Sequence, residues 1–299
     1  MGHLVPTITA ALTVALAGCS QTASAPIKTV ALPSDGGEVG KAFVAYVDAL
    51  KRNDIDAAGK ALAKPDVLKR SSSKDILDNI GNAGPTGGRQ QGDRATLFLV
   101  RGPADDVRIV LYNASRVAGV WKFDTPLLSG TKFHPSPLDC RSGDKFPCGV
   151  ETAPDAVVYG TVPAMDGQGQ QALIDGFAAH TLKGGTSSGT LVVLAGRGIE
   201  PELLHVSADP HEVEGWLRWP VLHIDIAPDN KHAHVALFSG ASVEEFEVSD
   251  GLAIESTDKG RIRGHLGVTA KKGGAIQASF DIADTSTCNV DTDRCDKGF

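Results

Sequence analysis

The sequence predicts two fold classes in series: an α+β N-terminal domain, with helices on a curved antiparallel sheet, then an all-β antiparallel sandwich or barrel. Three observations predict it. Apolar residues recur at helical spacing between Val39 and Ile80. From Arg94 onward, short β-branched and aromatic runs alternate with turn residues. Glycine, at 34 of 299 residues, exceeds the ~7% usual for soluble proteins and suits a turn-rich β chain.

Taken in order, Val39, Phe43, Tyr46, Val47 and Leu50 form one apolar stripe on a first helix. Asn53 and Asp54 end it and can cap a second, which carries Ile55, Ala58 and Leu62 before Pro65. A third short helix starts at Ser73, with Ile76, Leu77 and Ile80. Three strands follow, ATLFLV, VRIVLY and VWKF, the last two joined by a loop from Asn113 to Gly119. Pro126, Pro135 and Pro137 mark a linker. Eight further strand candidates, from AVVYGTV to AIQASFDI, recur at roughly ten-residue spacing, the pattern of a sandwich or barrel. Helical candidates in that half are confined to Glu200–Leu204 and Pro210–Trp216. The expected units are therefore 37–128 and 149–284, with a linker at 129–148 and a polar tail at 285–299.

Leu4 to Leu16 is an apolar run too short to span a bilayer and the right size for a signal-peptide core. It ends in Leu16-Ala17-Gly18-Cys19, which resembles the lipobox of bacterial lipoproteins. That resemblance implies a signal peptide over 1–18 and a mature N-terminus at Cys19 carrying acyl chains, a stable membrane anchor. The leader departs from the pattern in one respect: Met1-Gly2-His3 holds no Lys or Arg. Ser20 resembles the signal for outer-membrane delivery, so in a Gram-negative host the protein would face the periplasm from the outer membrane. Residues 19–36, small, polar and proline-containing, read as a flexible tether.

Cysteine usage agrees with export. Cys140, Cys148, Cys288 and Cys295 form two close pairs, and an even number in an exported chain reads as two disulfides with three connectivities. Local pairing is preferred, and neither pair has zinc-site spacing. A formal net charge of −7, with no basic patch against it, excludes nucleic acid as a natural partner.

FVAYVDALKRNDIDAAGKALA, then GDRATLFLV, then RIVLY…GVWKFD resembles the cone-shaped fold of the nuclear transport factor 2 superfamily in its exported bacterial versions. The match spans roughly Gly37 to Leu128 and includes the ending Trp121-Lys122-Phe123-Asp124. The resemblance implies either a small-ligand pocket or a spacer. Enzymatic members use an Asp–His pair, and no histidine lies between His3 and His134, so the implied role is binding or spacing.

The densest chemistry lies in VLHIDIAPDNKHAHV, with His223, Asp225, His232 and His234. Strand alternation puts Leu222, Ile224 and Ile226 on one face and His223 and Asp225 on the other. A tight turn at Asp229-Asn230 would set Asp225 opposite His234, His223 opposite Ala236 and Ala227 opposite His232. Two histidines and a carboxylate are a known ligand set for zinc or iron. A one-sided sheet also needs a polar outer face, and the four residues are read as that wetted face rather than a metal site. Gly185-Thr186-Ser187-Ser188-Gly189 matches G-x-S-x-G, but a strand rather than a helix follows Ser187, so it is read as a loop. Asn289, Asp291 and Asp293 have calcium-loop spacing without the glycine or the closing glutamate. Trp216 and Trp219 are binding candidates of the aromatic kind. The expected function is a lipid-anchored envelope binding protein that contacts another envelope protein, as inhibitor or accessory factor, without catalysis or cofactor. The alternatives are a metal-dependent or serine hydrolase of envelope substrates, or a carbohydrate- or solute-binding lipoprotein.

Overall fold

A computed structural model describes residues 27–69, 72–80, 84–101, 107–124, 131–133, 155–164, 169–199, 220–239, 242–256, 260–271, 273–289 and 294–297. The chain is largely β, built on a large mixed sheet system with few helices among the described residues. All three expected helices form: α1 (Gly37–Lys51), α2 (Ile55–Lys60) and α3 (Ser73–Ile80). Val39, Phe43, Tyr46 and Leu50 of α1 are buried, as the stripe requires. The Asp54 carboxylate accepts from the Ala57 N–H at 3.0 Å and caps α2. Ser72 and Asp75 form a reciprocal box at the start of α3: Asp75 N–H donates to Ser72 Oγ, and Ser72 N–H to Asp75 Oδ2.

The helices lie against β2 (Gly84–Gln91), β3 (Arg94–Arg101), β4 (Val107–Val117) and β5 (Val120–Phe123). Phe43, Tyr46, Tyr112 and Phe123 fill the interior, with edge-on contacts at 5.2 Å (Phe43–Tyr112) and 5.8 Å (Phe43–Phe123). Burial pushes the Tyr46 hydroxyl pKa up to about 12. The predicted loop from Asn113 to Gly119 is mostly strand. β4 runs on to Val117, and Ala118 (φ 50°) and Gly119 (φ 80°) alone make the turn, the left-handed pair of a two-residue hairpin.

The division into an α+β domain and a separate sandwich gives way to one hydrogen-bonded system. Lys28–Leu32, expected inside the tether, forms β1. It pairs with β2 on one side and with β7 (Ala156–Pro163) on the other. The first sheet then continues from β7 to β16 (Ala275–Asn289), β15 (Arg261–Thr269) and β14 (Leu252–Ser256). Two short strands attach at its margins: β6 (Thr131–Phe133), inside the expected linker, on β4, and β8 (Gln170–Ala172) on β7.

A second sheet runs through β13 (Ser242–Val248), β12 (Ala233–Ser239), β11 (Val221–Ile226), β10 (Thr186–Ala195) and β9 (Asp175–Lys183). β16 belongs to both sheets. Gln277–Asp281 pairs with β7, and after a bulge near Asp284 the strand runs parallel to β9. The expected polar tail is thus partly ordered: β16 reaches Asn289 and returns as β17 (Arg294–Lys297). Between the sheets lies an apolar core that includes Val158, Leu194, Leu222, Ile224, Val235, Ile276 and Phe280.

The two halves are bolted together by polar groups. Arg89 and Asp175, 2% and 1% exposed, make a forked ion pair, with Nε–Oδ2 and Nη2–Oδ1 both at 2.9 Å. The Ile199 N–H donates to the same carboxylate, and the Gly198 N–H to Thr96 Oγ1. Gln91 Nε2 donates to the carbonyls of Val158 and Ile174.

Candidate functional site

The hairpin parity holds in register. Asp225 stands opposite His234 and His223 opposite Ala236, and the Ala227 N–H donates to the His232 carbonyl. The wetted-face reading holds for part of the row only. His223 is 5% exposed, its ring edge-on to Phe238 at 4.9 Å. Around it Val193, Ala195, Ile199, Val221, Ala236 and Phe238 form a second apolar cluster on the outer face. Alternation predicts which side a residue faces; it does not predict that the far side is also covered.

His232 turns away into the loop, where its Nδ1 meets Asp229 Oδ2 at 2.5 Å. Backbone hydrogen bonds from Lys231, then the bond with His232, hold the Asp229 carboxyl below its usual range. His234 pairs on its other side with Glu247. Burial pushes the Asp225 carboxyl up and Glu247 adds to it, while His234 opposes the shift. Among the described residues no three His, Cys, Asp or Glu side chains are arranged to hold a metal ion.

Ser187 sits on a β9/β10 hairpin strand, with strand running on to Ala195. The strained strand-to-helix turn of a hydrolase nucleophile is not its setting. Cys288 and Cys295 stand opposite each other in the β16/β17 register, a backbone placement that allows the locally paired disulfide. Asn289 ends β16. Cys19, Cys140, Cys148, Trp216, Trp219, Asp291 and Asp293 lie outside the described residues, as do both helical candidates at 200–216.

Three juxtapositions carry no sequence signal, because strand pairing brings their members together over long stretches of chain. The first is a polar cleft of about 340 Å³ between the halves, lined by Arg94, Asn113, Ser115, Asp124, Gln170 and Gln171 among others. Burial pushes the Asp124 carboxyl up there, against Lys64.

The second is His180 Nε2 at 2.8 Å from Asp284 Oδ2, the aspartate only 7% exposed. Burial raises the Asp284 carboxyl pKa, and His180 offsets this in part. The folded chain therefore binds that proton more readily than the unfolded chain does. The group's contribution to stability is largest below the ordinary carboxylate range and is lost as pH rises through the raised value. Asp284→Asn is expected to raise Tm by a few degrees at neutral pH, the gap to wild type closing as pH falls toward 4. Thermal scans across that window check it, and a lower Tm at pH 7 would reverse the assignment.

The third is a depression of about 290 Å³ on the outer face of the first sheet, over β7, β16, β15 and β14. Tyr159, 49% exposed, pairs with Ser279, which pairs with His265. One row along, Val157 pairs with Asp281 and Asp281 with Arg263. Asp281 accepts from Arg261 Nε and from Arg263 Nη2, both at 2.7 Å. Burial alone would raise the Asp281 carboxyl pKa, but the two guanidinium groups outweigh it and hold it below the usual range. His265 Nδ1 lies 3.6 Å from Glu255. Rigid strands thus present a half-exposed tyrosine beside two oriented arginines, the residue types that anchor protein interfaces. Comparison of the chain with protein-family models, curated proteins and solved structures finds no match.

Proposed function

We propose that the chain is a lipid-anchored binding protein of the cell envelope that acts by protein–protein contact rather than catalysis. Its helical end, nuclear transport factor 2-like in this reading, serves as a spacer, and its sandwich end presents the recognition face. The observation that carries the binding part is the Tyr159–Arg261–Arg263–His265 surface. Tyr159, Arg263 and His265 line an open depression with charged side chains around it, which suits a protein partner better than the enclosed apolar pocket of a small ligand would. The anchor rests on Leu16-Ala17-Gly18-Cys19, and the oxidising address on the paired cysteines.

The test is crosslinking in intact cells with wild type and with Tyr159→Ala/Arg263→Glu. Loss of hot-spot residues worth ≥2 kcal/mol should cut recovery of the specific crosslinked species by about thirtyfold. Both side chains are largely on the surface, so Tm should stay within a few degrees of wild type. An undiminished crosslink pattern would remove this face as the binding surface. Cys19→Ser should release the protein from membranes; continued fractionation with them would remove the anchor.

A further inference from the structure

We infer that the β4/β5 hairpin tip, Val117-Ala118-Gly119-Val120, is a second membrane contact that seats on a lipid surface beside the acylated N-terminus. This inference rests on the anchor proposed above. The tip is four consecutive apolar residues, all exposed, with Val117 at 55% and Val120 at 54%. Such a run on a soluble surface is a liability unless something covers it. It is also held firmly. The Arg116 guanidinium stacks on Trp121 at 4.7 Å and donates to Glu38 at the start of α1 at 3.0 Å. The Arg116 N–H donates to the Asp93 carbonyl at 2.8 Å.

The strand register shows where the tip points. Thr29 pairs with Gln91, Gln91 with Arg94, Arg94 with Ser115 and Ser115 with Lys122. The chain therefore enters β1 at the same sheet end from which the hairpin projects, three strands away. At ~4.8 Å between strands that separation is about 15 Å. Ile27, 55% exposed, lies against Gly92 in the intervening turn, adding an apolar side chain at this end.

Cys19 precedes Ile27 by eight residues, which span at most about 28 Å when fully extended. A lipid on Cys19 therefore keeps this end of the molecule close to the bilayer. Val117 and Val120 extend about 7 Å beyond the Ser115–Lys122 row, enough to enter the headgroup boundary where apolar side chains of peripheral proteins settle. Exposed Arg94 and half-buried Lys122 stand in the Ser115 row behind the tip, and the exposed carboxylates of Asp93 and Glu38 lie beside Arg116 at the same end.

The full-length acylated protein, reconstituted into phosphatidylcholine/phosphatidylglycerol vesicles, tests this with tryptophan probes. Val120→Trp places one at the tip. Lys51→Trp places another at the far end of α1, about 20 Å from Glu38 along the helix axis. With brominated lipids, Val120→Trp emission should fall at least twofold below that in unbrominated vesicles, after subtraction of wild type, and Lys51→Trp should not change. A protein that floats with the vesicles while Val120→Trp stays unquenched overturns the hairpin contact and leaves the anchor standing. A blue shift without bromine quenching means that protein, not lipid, covers the tip, and overturns it as well. A Cys19→Ser chain that floats as fully as the acylated protein overturns the anchor, and with it the contact that rests on the anchor.

Discussion

Asp175→Ala should destabilise the protein by about 3–5 kcal/mol, because it removes the carboxylate onto which the buried Arg89 guanidinium forks. Asp175 is 1% exposed and accepts from Arg89 Nε, Arg89 Nη2 and the Ile199 N–H, so one substitution removes three hydrogen bonds. The cost falls where β2 meets β9, at the polar bolt between the helix-bearing strands and the second sheet. Urea titration should show a midpoint well below that of wild type. Arg89→Met/Asp175→Leu should recover much of the loss, since an apolar pair of similar size does not have to be desolvated as ions. A loss below about 1 kcal/mol for Asp175→Ala would mean that the two ends are not locked by this carboxylate.

Gly160→Val should cost about 3 kcal/mol or more, from backbone rather than from lost contacts. Gly160 lies in β7 at φ 142°, outside the range that residues with a Cβ adopt comfortably. A Cβ there would stand 1.9 Å from the Gln277 carbonyl oxygen and 2.8 Å from Ala278 Cα. Both belong to β16, the strand shared by the two sheets, so relief requires parting β7 from it. Gly84→Ala is the control: nothing lies within 4 Å of its Cβ, and its effect should be within about 0.5 kcal/mol. Comparable urea midpoints for the two variants would show that β7 and β16 can separate without penalty.

The helices and most strands were legible because their signal is periodic and local. The stripe Val39–Leu50 is the buried side of α1, and VLHIDI pairs with AHVALFS in the register that its turn length implies. Strands without such a signal were missed for identifiable reasons. β2, GPTGGRQQ, has no alternating apolar residues; it is buried through glycines and through Arg89, whose partner lies 86 residues away. β1 reads as tether in the sequence because KTVAL is short and follows a polar, proline-bearing stretch. The sequence puts His223 on a wet face because alternation distinguishes two sides of a strand without saying what lies over each.

By itself the sequence determined the periodicities: three helical stripes, the alternating strands, the hairpin parity, the apolar run Leu4–Leu16 and the spacing of the cysteines. These depend on neighbours a few residues apart, whose geometry is the same in every chain. Tertiary structure alone decided that β1 joins both halves, that β16 serves two sheets, and that Tyr159 and Arg263 share a surface with Asp281. Those outcomes depend on which strand edges meet. Backbone hydrogen bonds between strands are alike for every residue, so the choice of partner is made by the packing of the whole chain rather than by any short segment of it.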